Sequence, residues 1–64
     1  MLKHPTPRKA IEFAVETEAM GKLFYEELAD KFAMDTKIRD VFASMAKEEE
    51  IHERQFKAML EGAL

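Results

Sequence analysis

Between Pro7 and Gly62 the chain has no further proline and a single glycine, Gly21. Ala, Glu, Lys, Leu and Met fill most of this stretch, all good helix formers, while β-branched residues are few and scattered. Such a chain can form long helices and little else, so the fold class is all-α. Thr6 is placed to cap a first helix, and Pro7 suits its first position, where a missing N–H costs nothing. That helix is expected over about residues 7–32. "AMDT" then interrupts the pattern, and Asp35 is a good cap for a second helix over about 36–61, with Gly62 as its stop. A connection of only about three residues returns the second helix antiparallel to the first, as a hairpin.

A 64-residue chain is one small two-helix unit. Alone, a unit of this size buries a marginal core. Cysteine is absent, which excludes disulfides, thiolate zinc sites and iron–sulfur centres on this chain. The remaining ways to stabilise it are oligomerisation, a metal held by Glu and His, or both. Ten Lys and Arg against thirteen Asp and Glu give a net charge of −3. The signs are interleaved with no basic stripe, which argues against nucleic acid as a partner. No apolar stretch approaches the roughly 18 residues of a membrane span. "MLKHPTPRK" is too polar and short for a signal peptide, so the expected location is the cytoplasm. His4, beside the prolines, is expected to be solvated.

At about 100° per residue, each helix shows one apolar stripe. On the first it runs through Ile11, Ala14, Glu18, Gly21, Tyr25, Leu28, Ala29 and Phe32. On the second it runs through Ile38, Phe42, Met45, Glu49, His52, Phe56, Leu60 and Ala63. Glu18 is central to the first stripe and Glu49 to the second. The run "EEE" is therefore not uniform: Glu49 faces the seam, while Glu48 and Glu50 point about 100° away on either side and are expected to be solvated surface charges.

Height along the hairpin gives a second constraint. With the tip near Met34, Glu18 and Glu49 both lie about 23 Å from it at the helical rise, so they stand side by side. His52 follows Glu49 by one turn on the same face. Ionised carboxylates in an apolar seam are costly unless paired or bound to a cation. Lys22, at the stripe margin, is the only basic residue beside them. A divalent metal supplies the compensation; carboxylate oxygens with an imidazole suit iron or manganese, and zinc less distinctively. One hairpin offers only Glu18, Glu49 and His52. Pairing two hairpins about a twofold axis buries both seams and assembles the ligand set of ferritin-like bundles: one Glu from each of two helices, and Glu-x-x-His from each of the other two. The expected architecture is thus a helical hairpin that homodimerises into a four-helix bundle around an intersubunit dinuclear site.

"AIEFAVETEAMGKLFYEELADKF" and "VFASMAKEEEIHERQF" resemble the two ligand-bearing helices of half a rubrerythrin or ferritin-like domain, over roughly residues 8 to 60. Glu18 followed by Tyr25, and the Glu-x-x-His of Glu49 and His52, carry the likeness. The resemblance implies a di-iron centre that reacts with O2 or peroxide, with Glu49 bridging the metals and Glu18 and His52 as terminal ligands. It also implies that Tyr25 hydrogen-bonds a carboxylate from the opposite half. The function expected is oxidation of Fe(II) by O2 or H2O2, serving iron handling or peroxide detoxification. Manganese and zinc are the alternative metals, and the electron donor is external. The chain lacks rubrerythrin's four-cysteine rubredoxin module and the second half of the bundle. Gly21 stands where one rubrerythrin half carries an extra glutamate ligand, and it is expected to leave space for O2 or water. Two other readings compete: a non-catalytic oligomerisation module, or the N-terminal half of a longer rubrerythrin-like chain.

Beyond the seam, Glu12, Glu16, Glu26, Glu27 and Asp30 read as a solvated outer face. Glu53 flanks the second seam and is expected to be a surface residue, with an iron-entry carboxylate as the alternative. Phe13, Met20, Phe24 and Ile51 point away from the stripes and hint at contacts beyond a dimer, a higher oligomer.

Overall fold

A computed structural model of the chain describes residues 6–62. His4 and Ala63, assigned above a solvated and a seam position, lie outside them. Two helices make up the fold, α1 (Pro7–Lys31) and α2 (Thr36–Gly62), packed antiparallel as a hairpin. Thr6 caps α1 from an extended backbone (φ −76°, ψ 160°), its hydroxyl accepting from the Lys9 N–H at 3.1 Å, with Pro7 opening the first turn. Asp35 caps α2: its carboxylate accepts from the Ile38 N–H at 3.2 Å. Phe32 is the C-cap of α1 rather than its last helical residue, its N–H still donating to the Leu28 carbonyl at 3.1 Å. The connection is therefore slightly longer than read from the sequence, and an Asp35 N–H to Phe32 carbonyl bond of 3.0 Å closes its turn. No helix among the described residues is long and apolar enough to cross a membrane.

The hairpin measures 44 × 24 × 11 Å. Its thin dimension is that of one helix, so the two helices form a single layer. One layer has no second layer to cover its face, and a two-helix interface cannot bury the stripes on both helices. Among the described residues only Ala46 is buried, at 5% exposure. Ala46 sits about 60° round α2 from Glu49, so α1 and α2 meet beside the stripes rather than on their centres. The small side chain lets the helices approach closely there. The seam residues Ala14, Glu18, Tyr25, Phe42, Met45, Glu49 and Phe56 are left half-buried, and Phe32 and Ile38 are exposed.

The hairpin's two sides differ in character. One side carries a groove of about 450 Å³ lined by Lys22, Glu26, Asp30, Lys47 and Glu50 around three alanines. Toward the tip lies an apolar hollow of about 440 Å³ formed by Phe32, Ile38, Val41, Phe42 and the Lys37 stem. Beside it the Tyr25 and Phe42 rings stack at 6.2 Å and 16°, with Phe32 tilted against Phe42 at 6.0 Å. Phe13, Met20, Phe24 and Ile51 are exposed, at 58%, 70%, 57% and 44%.

Among the described residues, Asp35 is the one side chain that satisfies an orphan N–H at the start of α2. Asp35→Ala is expected to lower the unfolding free energy by about 1 kcal/mol, measured by urea or thermal unfolding monitored by circular dichroism; an unchanged midpoint would show that the cap contributes nothing.

Candidate metal centre

Glu18 and His52 come from facing helices, and Glu49 lies one turn before His52 on α2. The His52 Nδ1 stands 3.4 Å from Glu18 Oε2 and 3.4 Å from Glu49 Oε1. Each of the three offers one ligand atom, and these atoms lie within 4.8 Å of one another. The structure thus gathers the three side chains singled out in the sequence. The two carboxylates are about one-fifth exposed, at 21% and 23%, while His52 keeps 49% of its side chain open on the uncovered face.

The electrostatics of the group are unbalanced. Burial pushes the Glu49 carboxyl above its ordinary range, and the adjacent Glu18 carboxylate pushes it further; His52 opposes both. Glu18 Oε2 is shielded from solvent and, although His52 Nδ1 stands 3.4 Å away, forms no hydrogen bond among the described residues. Such an orphaned acceptor is costly. Lys22, the one basic residue that could have compensated the pair, is engaged elsewhere. Its ammonium lies 3.1 Å from Glu50 Oε2, and Arg54 approaches the other Glu50 oxygen at 2.8 Å. This pairing raises the Lys22 ammonium pKa and lowers that of the Glu50 carboxyl. Two acids, one imidazole and no local cation fit a divalent metal: oxygen and imidazole donors suit iron or manganese.

Three expectations need correction. Glu50 is not a free surface charge; it is half-buried and ties α2 to α1 through Lys22, because the helices meet on the Ala46 side of the stripe. Glu53 is also shielded, at 18% side-chain exposure, and pairs with Lys57 at 3.2 Å. Gly21 does not leave space for O2 or water: a Cβ built there collides with Glu49 Oε2 and stands 3.3 Å from Glu49 Cδ, so the Glu49 carboxylate occupies that space. Tyr25 lies on the seam between Phe24 and Phe42, with the Phe24 ring edge-on at 5.3 Å and 64°.

Periodicity could have flagged Gly21 and Glu50 only with the rotation of each helix about its axis in hand. The signals present in the sequence were the unexplained glycine within a helix and the lysine at the stripe margin.

No curated protein and no solved structure gives a significant match to the chain. A family model does: the one described as Rubrerythrin matches residues 9–63. That span takes in all but the first two residues of α1, the whole of α2 and the Glu18, Glu49 and His52 group, and on it the chain belongs to the rubrerythrin family.

Proposed function

We propose that two copies of the chain pair seam to seam into a four-helix bundle, and that the joined sites bind about two iron ions and oxidise Fe(II) with O2 or peroxide. The observation that carries this reading is the convergence of Glu18, Glu49 and His52, with Glu18 Oε2 shielded and without a hydrogen bond, and Lys22 committed to Glu50 rather than to the pair. A single hairpin leaves that group at the edge of an open layer, and family membership over a half-length chain supports a second copy as the cover.

In the paired form the chain's own groups divide the work. Glu49, held against α1 on one side and reaching His52 on the other, would be shared between the two ions, and Glu18 and His52 would each hold one. Tyr25, fixed by its aromatic neighbours, is placed to hydrogen-bond a carboxylate of the opposite hairpin. The half-covered Ala14, Phe42, Met45 and Phe56 close over the site and exclude water, which strengthens each charge interaction inside it. Bound iron supplies the electrons that reduce the oxidant.

The test combines solution mass with anaerobic Fe(II) titration, followed by admission of air. About two irons per dimer, oxidised faster than in buffer, is the expected result; a stable dimer that takes up no iron removes the proposal. Glu49→Ala is expected to abolish uptake while helical content survives, and unchanged stoichiometry in that variant would place the site elsewhere.

A second prediction follows from charge. The folded-state pKa of Glu49 is raised, so in its titration window the folded chain holds more protons than the unfolded one, and stability falls as pH rises through it. The metal-free protein should therefore lose stability between the ordinary carboxylate range and the raised Glu49 value. Glu49→Gln should flatten that slope and melt higher than the metal-free wild type at neutral pH, read from melting temperatures across pH. An equal slope in both proteins would contradict it.

A further inference from the structure

We infer that Gly21 is the positioning residue for the Glu49 carboxylate, and that its missing side chain, rather than any backbone requirement, is the reason a glycine stands inside α1. This rests on the metal-site reading above and sharpens it. Glycine in a helix interior is unfavourable relative to alanine, so its presence there asks for a local cause. Backbone conformation is not the cause: no described glycine has a positive φ. Space is the cause. A Cβ at Gly21 would collide with Glu49 Oε2 and crowd Glu49 Cδ at 3.3 Å and Cγ at 3.5 Å. Gly62, the other glycine, meets nothing within 4 Å.

The Glu49 carboxylate is thus addressed on both oxygens. Oε1 faces the His52 imidazole at 3.4 Å, and Oε2 lies in the notch that Gly21 opens in α1. Glu18 lies on the same seam, one turn before Gly21. At Gly21 this chain provides a recess in α1 that seats the glutamate of the facing helix. A side chain at residue 21 would meet the flexible end of Glu49, which can swing away without disturbing either backbone. Filling the notch should therefore spare the fold and spoil the site.

The experiment compares the full chain with Gly21→Ala, using Gly62→Ala as a control in open space. Metal-free crystal structures of each locate the Glu49 carboxylate, anaerobic Mn(II) titration followed by electron paramagnetic resonance gives affinity, and thermal unfolding gives stability. Gly21→Ala is expected to move the carboxylate off α1 and weaken Mn(II) binding by ~10–100-fold, the range for loss of a residue that orients a ligand. Its melting temperature should equal or exceed that of the wild type, and Gly62→Ala should bind as the wild type does. An unmoved carboxylate, an unchanged Mn(II) affinity or a lowered melting temperature in Gly21→Ala would each overturn the assignment. If the wild type binds no Mn(II), the function proposed above fails, and the metal-free structures alone decide the role of Gly21.

Discussion

The rest of the molecule is arranged around two carboxylates held together where an apolar core would otherwise be. Glu18 and Glu49 approach the same imidazole from opposite helices, one with an orphaned shielded oxygen and the other with a carboxyl whose ionisation burial resists. Like charges at this distance in a partly desolvated seam destabilise the chain that carries them. An arrangement selected for stability alone would have placed an apolar residue at either position or turned Lys22 toward the pair. Instead Lys22 is committed to Glu50, and a helix-weakening glycine makes room for Glu49. Both features leave the Glu18 and Glu49 pair without a compensating cation from the chain itself, as the proposed metal site requires.

The same hairpin is short of a core. Its thickness is that of one helix, Ala46 is the only buried residue among those described, and the aromatic cluster near the tip opens into an apolar hollow. The shortage of core and the surplus of negative charge lie on one seam. On the proposed pairing, a second copy laid on it would cover the apolar residues and bring a second set of ligands, so one association would answer both. This is why folding, assembly and metal binding are expected to be linked in this protein rather than separable properties.

The two helices, the caps at their starts and the level of the site could be read directly from the sequence, whereas α2 runs through Gly62, the expected stop. Thr6 and Asp35 mark the two starts, and a regular rise from a single hairpin tip sets Glu18 beside Glu49. The contact between the helices could not be read the same way. Periodicity defines the centre of each stripe but not the rotation that brings two stripes together. In the hairpin that rotation moves the contact to Ala46 and carries Glu50 into partial burial against Lys22. The notch at Gly21 is hidden from periodicity for the same reason: a gap beside a ligand looks like open space until the facing side chain is placed in it.

If the metal site is completed only by pairing, then metal and self-association must strengthen each other by the same free energy. Sedimentation equilibrium of the metal-free chain, repeated with saturating Fe(II) under anaerobic conditions, measures that coupling directly. The account predicts a dimer dissociation constant that falls by at least about tenfold when metal is present, a typical size for such coupling. A dissociation constant unchanged by metal, or full metal binding by the monomer, would contradict it.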